Sequence, residues 1–263
     1  MQAHSKKFLH GLYLIGRPMR YIRYLLISIT SLLLCGCSYF KPTSQSDVTP
    51  FNWQHQQPNC KVETQQNNNC PSITYNGLNF NKFKKLNTLI NNKFLQILNA
   101  EKTTTLEEYL KNNLARANNG YHLNLSVQLM SENDVLIVLM LTVEEIPSTD
   151  QYNAQKVRFI NFDKHKQKDI TLKDAIIMDK TEVFWSTAQI AYKQWLEIQQ
   201  LLNNETYQED WPFIKTNNVA LLPKQLMLKY SGNTLAPYAM GEPTLFIPYE
   251  QLHEILKPEY LPH

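Results

Sequence analysis

The chain has 263 residues, 43% of them hydrophobic, and carries 26 Lys or Arg against 23 Asp or Glu, a formal charge of +3. That length can bury a core of its own, in one sizeable domain or two small ones. The excess of bases is confined to the N-terminus: without the five Lys and Arg of residues 1–36, the remainder holds 21 bases against 23 acids, which argues against a basic body that would bind nucleic acid.

Lys6, Lys7, Arg17, Arg20 and Arg23 precede the apolar run Tyr24 to Leu34, with no acid among them. The run is too short for a membrane-spanning helix, which needs about 20 residues, and fits the h-region of an export signal. It ends in Leu34-Cys35-Gly36-Cys37, which resembles the lipobox of bacterial lipoproteins. The resemblance implies that the Cys37 thiol receives diacylglycerol, that residues 1–36 are cut away, and that the body is held to the membrane through lipid. A plain secretory signal or an uncleaved anchor would leave Leu-x-Gly-Cys unexplained. Ser38, where Asp would retain a lipoprotein at the inner membrane, resembles lipoproteins passed to the outer membrane and facing the periplasm. Met1 and Met19 are both candidate starts.

Residues 37–69 are dense in Ser, Thr, Pro, Gln and Asn, and are expected to be a flexible tether. Phe51 and Trp53 are its apolar exceptions and are expected to dock on the body. After loss of the leader, with Cys37 lipidated, two thiols remain, Cys60 and Cys70. An oxidising envelope favours a disulfide between them over two free thiols. A zinc site would need more than the single nearby His55.

The body is expected to be a mixed α+β fold, antiparallel sheets against amphipathic helices, in two small subdomains, 70–178 and 179–263. Phe83, Leu86, Ile90, Phe94 and Ile97 recur at helical spacing, which predicts a surface helix over 81–100. A second helix over 106–118 would start at a Thr104/Glu107 capping box and stop at Gly120. From Tyr121 the period becomes two, predicting a half-exposed strand, and Val135 to Val143 is apolar on both faces, predicting a covered central strand. Strands at 155–162 and 169–172, around a charged turn with Lys164, Lys166 and Lys168, would complete a meander. The longest helix is expected from a capping box at Asp179 to about Leu202, burying Phe184, Ala188, Ala191, Trp195, Ile198 and Leu202. A polar loop over 203–217, strands at 219–222, 225–230 and 244–247, and a closing helix over 249–256 would follow.

Leu226-Met227-Leu228-Lys229-Tyr230, Leu235-Ala236-Pro237-Tyr238-Ala239-Met240-Gly241 and Leu245-Phe246-Ile247-Pro248-Tyr249 resemble an extracytoplasmic family, the RsiV-like domain. It occurs in a lysozyme-sensing anti-sigma factor and beside the catalytic domain of a peptidoglycan deacetylase. Pro71-Ser72-Ile73, Asn161-Phe162-Asp163 and Ile170 to Asp174 extend the resemblance over roughly residues 70–258. It implies lysozyme or another muramidase as partner. Sigma-factor signalling and deacetylation are not carried over, because the expected leader replaces a cytoplasmic segment and no deacetylase domain is recognised. The loop Pro147 to Ala154 stands where relatives carry a Gly-rich segment with histidine. On physical grounds Gly241 suits a positive φ, Pro237 holds its predecessor extended, and Tyr238 offers a ring with a wet hydroxyl, so these three are the candidate partner-binding residues.

No catalytic or metal-binding constellation stands out. The seven histidines show no paired spacing, seven glycines offer no phosphate loop, and Glu144 and Glu145, neighbours on a strand, would face opposite ways. A binding protein without cofactor or metal is expected, and not an enzyme. An accessory peptidoglycan-modifying enzyme and a structural or assembly lipoprotein remain as other classes.

Overall fold

The computed structural model describes residues 47–58, 60, 69–101, 104–147 and 154–262. The leader, the lipobox with Cys37, and residues 148–153 lie outside the described residues. The fold is mixed α+β, built on a six-stranded and a three-stranded sheet. Among the described residues no helix is long and apolar enough to cross a membrane.

The larger sheet runs in chain order: β1 (Val48–Gln56), β2 (Ser72–Phe80), β3 (His122–Glu132), β4 (Leu136–Ile146), β5 (Ala154–Asp163) and the short β6 (Lys168–Asp169). All neighbours are antiparallel except β2 and β3. A parallel pair needs a crossover, and helices α1 (Lys84–Ile97) and α2 (Leu106–Arg116) supply it. Their buried residues, Leu86, Ile90, Phe94 and Ile97 on α1 and Leu106, Leu110 and Leu114 on α2, fall on the apolar stripes the spacing predicts. Thr105, and not Thr104, caps α2 by accepting from the Glu108 amide.

β4 divides the interior. Ile137, Leu139, Leu141 and Val143 face a core with α1, α2 and β3, while Leu136 and Val138 face a second core on the opposite side. Residues alternate across a strand, so an apolar run without alternation is what two covered faces require. The second core holds α3 (Leu172–Ala175), α4 (Thr181–Ile198) and the small sheet β7 (Val219–Leu221), β8 (Gln225–Lys229), β9 (Thr244–Pro248). It draws residues from both sides of the expected 178/179 boundary. The short helix α5 (Glu205–Asp210) lies between α4 and β7.

Several expectations need correction. Residues 48–56, expected as tether, form β1, in register with β2 from Val48 opposite Phe80 to Gln56 opposite Ser72. Of the expected strand at 169–172 only Asp169 is paired, in the two-residue β6. Thr171 and Asp174 form a reciprocal capping box that starts α3. Asp179 takes a left-handed φ of 65° and does not cap α4, whose N-cap, Lys180, makes no side-chain bond. α4 is rotated from the expected stripe: Trp185, Tyr192 and Leu196 turn inward with Phe184, Ala188 and Ala191, leaving Ile198 76% exposed. The closing helix is a single 3-10 turn, Tyr249–Gln251, because the chain beyond it is drawn onto residues 175–177: Ile177 N donates to Ile255 O and Lys257 N to Ala175 O. Lys164 lies on the expected turn, but its side chain is not exposed. Its ammonium sits 2.6 Å from Glu132, with 8% of its side chain exposed.

Candidate partner-binding surface

Pro237, Tyr238 and Gly241 come together in the connection from β8 to β9. Leu235 and Ala236 are fully buried and pin its middle into the second core. Pro237 (φ −63°) then turns the chain outward into a 3-10 turn, Tyr238–Met240, closed by Met240 N donating to Pro237 O and Gly241 N to Tyr238 O. Gly241 has φ 77°, a conformation an L side chain resists. It lets the chain reverse into β9, where Tyr230 N donates to Pro243 O and Lys229 pairs with Glu242 at 3.0 Å.

Tyr238 is left 74% exposed, but it is not loose. A Cβ on Gly232 would lie 2.8 Å from its ring, so the ring packs flush against a backbone that only glycine leaves bare. The Tyr207 hydroxyl donates to Leu235 O at 3.0 Å and contacts the Met240 sulfur at 3.8 Å, bracing the turn that carries Tyr238. Tyr238 and the partly exposed Met240 thus form an apolar projection on a fixed backbone. Gly232, Tyr207 and Met240 are beyond what periodicity reveals. Ser231-Gly232-Asn233 reads only as a turn signal, and nothing in it announces an aromatic lid.

The other residues considered from the sequence are dispersed. Cys60 and Cys70 form a disulfide. Glu144 and Glu145 diverge on β4: Asn124 Nδ2 donates to Glu144 at 3.2 Å, and the Tyr121 hydroxyl donates to Glu145 at 3.1 Å. Burial, and then the Glu145 charge, push the Tyr121 phenol pKa upward. A polar cleft of about 560 Å³ opens there, lined by Glu101, Glu145, Arg116, Tyr109 and Tyr121 among others. His122 Nδ1 meets Ser72 Oγ at 2.7 Å, and the His55 ring lies 4.2 Å from Trp53. Among the described residues no three His, Cys, Asp or Glu side chains are placed to hold a metal ion.

A solved DUF3298 family protein from Pseudomonas aeruginosa PAO1 is similar over 84% of this chain and 99% of its own, with 27% identity and a TM-score of 0.78. A DUF3298 family member from Bacteroides fragilis NCTC 9343, 17% identical with a TM-score of 0.62 over 82% of this chain and 96% of its own, shares the fold. No curated protein matches the chain. A family model described as "Protein of unknown function (DUF3298)" matches residues 79–250, and the chain belongs to that family.

Proposed function

We propose that this is a lipid-anchored envelope protein of the RsiV-like kind, held by Cys37 at the outer membrane and facing the periplasm, which binds a protein partner, lysozyme or another muramidase, and does not transform it. The carrying observation is Tyr238: a large aromatic, 74% exposed, held in place by Gly232 and by a turn rooted in Leu235 and Ala236. Aromatic anchors dominate binding energy at protein interfaces, and a side chain already fixed in place loses little entropy on docking. The Cys60–Cys70 disulfide supports an oxidising compartment.

The test is to incubate the protein and its Tyr238→Ala variant with lysozyme and, separately, with purified sacculi. Capture of lysozyme with loss of its activity, weakened about tenfold or more in the variant, supports the reading. A second reading rests on Glu101 and Glu145 lining one cleft, as an accessory enzyme acting on peptidoglycan would require. Chemical change in the sacculi, without capture of lysozyme, would replace the first reading by this one.

A further inference from the structure

A second cleft, of about 630 Å³, opens beside β5 and is lined by Lys93, Lys156, Arg158, Lys215 and Lys229, with no Asp or Glu among its lining residues. Its volume is that of a small-ligand site. Three of these cations are balanced by carboxylates outside the cleft: Lys93 by Asp169 at 3.0 Å, Lys215 by Glu182 at 3.2 Å and Lys229 by Glu242 at 3.0 Å. Lys156 and Arg158 are different. Neither has a carboxylate partner among the described residues, and Arg158 spends one guanidinium nitrogen on the Val157 carbonyl, at 2.8 Å. Both are only half-exposed, so solvent does not fully screen them.

Two positions apart on one strand, Lys156 and Arg158 leave the same face about 7 Å from each other. β6 pairs only with Phe162 and Asp163, so it does not cover this part of β5. Thr216 and Ser231, two residues with neutral hydroxyl donors, line the same cleft. A concave site with charge of one sign and low-dielectric walls concentrates its field on whatever enters. Arginine offers a planar fork to an oxyanion, and lysine a mobile point charge beside it.

We propose that this cleft binds a phosphate-bearing anion with two or more negative charges, seated between Lys156 and Arg158. The proposal rests on Lys156 and Arg158 of β5 and not on the Tyr238 turn, although Ser231 of the same β8–β9 connection lines the cleft, and it stands whether or not that turn binds a protein. The anion is either a soluble phosphate compound or a phospholipid headgroup, and the two sources separate in the test. The full-length protein is titrated with inorganic phosphate and pyrophosphate by calorimetry, and with phosphatidylglycerol and phosphatidylcholine vesicles by co-sedimentation, each against the double variant Lys156→Gln/Arg158→Gln. Any membrane affinity of the N-terminus is common to both proteins and cancels in the comparison.

Pyrophosphate should bind more tightly than phosphate and weaken as salt rises, with about a tenfold or greater loss in the double variant. That loss with no variant-dependent vesicle binding assigns a soluble ligand. A variant-dependent preference for phosphatidylglycerol over phosphatidylcholine assigns a headgroup. The charge-keeping variant Lys156→Arg/Arg158→Lys should retain most of the affinity, which separates lost charge from lost folding. The proposal is overturned if neither anion nor anionic vesicle binds, if the glutamine variant binds as well as the native protein, or if the charge-keeping variant loses as much as the neutral one.

Discussion

Asn161 on β5 and Asn218, the residue before β7, clamp the two sheets together reciprocally with their side-chain amides. Asn161 donates from Nδ2 to Val219 O and accepts from the Leu221 amide at Oδ1, both at 2.8 Å. In return Asn218 accepts from the Phe159 amide at 3.1 Å and donates to Val157 O at 2.9 Å. Each amide serves the other strand as a substitute ladder partner, satisfying backbone groups that an unpaired edge would strand. Asn161 is 4% exposed. Asn161→Ala should therefore leave the Leu221 N–H and Val219 C=O buried and unpaired, at a cost of about 3 kcal/mol, and Asn218→Ala about 1–2 kcal/mol. Asn161→Asp should also destabilise, because a carboxylate cannot donate to Val219 O. Urea unfolding of the three variants checks this, and values within 0.5 kcal/mol of the native protein, the usual scatter of about 0.5 for surface changes, would refute the clamp.

Phe51 and Gly77 form a coupled pair across β1 and β2. They stand opposite each other in register, and a Cβ on Gly77 would lie 2.0 Å from the tip of the Phe51 ring. Phe51 also meets Tyr75 edge-to-face at 5.0 Å. The ring is the end of a rotatable side chain, 40% exposed, so Gly77→Ala should swing it out without parting the strands, losing the aromatic contact for about 1 kcal/mol. In a Phe51→Ala background the same glycine change should cost almost nothing. A double-mutant cycle measures the difference, and additivity within about 0.3 kcal/mol would contradict the contact.

The Cys60–Cys70 bridge closes a ten-residue separation, for which chain entropy gives about 2–3 kcal/mol. Gln57, just ahead of it, donates to the carbonyls of Ala115 and Ala117 at 3.2 Å, and its own amide donates to Pro71 O. These contacts fasten the end of β1 near the bridge. Cys60→Ser or added reductant should lower the urea midpoint accordingly and expose β1 to proteolysis first. A midpoint indifferent to reductant would show that the bridge does not form in solution.

Alkaline unfolding should be led by tyrosine. Burial raises the phenol pKa of Tyr75, Tyr121, Tyr230 and Tyr249, and pushes that of Tyr192, whose hydroxyl donates to Trp211 O, up to about 12. A group with a raised folded-state pKa contributes its full stability below the unfolded value, about 10, and loses it as pH climbs through the folded one. Absorbance of tyrosinate should therefore stay low for these residues above pH 10 and rise together with the loss of helical circular dichroism. A simple titration near pH 10, ahead of any unfolding, would contradict their burial.

What the sequence made legible follows from how many faces each element buries. β4 could be read because both its faces are covered, and α1 because one stripe alone is. β1 could not: it is an edge strand whose VTPFNWQHQ residues are mostly exposed, so it lacks the alternation that marks a half-buried strand, and its polar composition imitates a tether. The phase of α4 is not legible in the sequence because Trp195 and Ile198 look as apolar as Trp185 and Tyr192, and only the packing of Tyr192 and Trp185 around Phe213 decides between them. At the candidate surface, Pro237, Tyr238 and Gly241 were visible as residue types suited to a shaped loop. The Gly232 contact that steadies Tyr238 was not, since it depends on a turn folding back over six residues. The basic cleft was hidden for a related reason: its cations come from α1, β5, β8 and the segment before β7, and no local run of charge announces them.

Anchorage at the envelope is tested most directly by Cys37→Ala, followed by membrane fractionation and mass spectrometry of the N-terminus. The native chain should begin at an acylated Cys37 and partition with the membranes. The variant should lose its acyl mass and leave the lipid fraction. A native protein found with residues 1–36 still attached and no lipid on Cys37, or a variant that stays in the membrane fraction, would contradict the envelope location and the partner proposed from it.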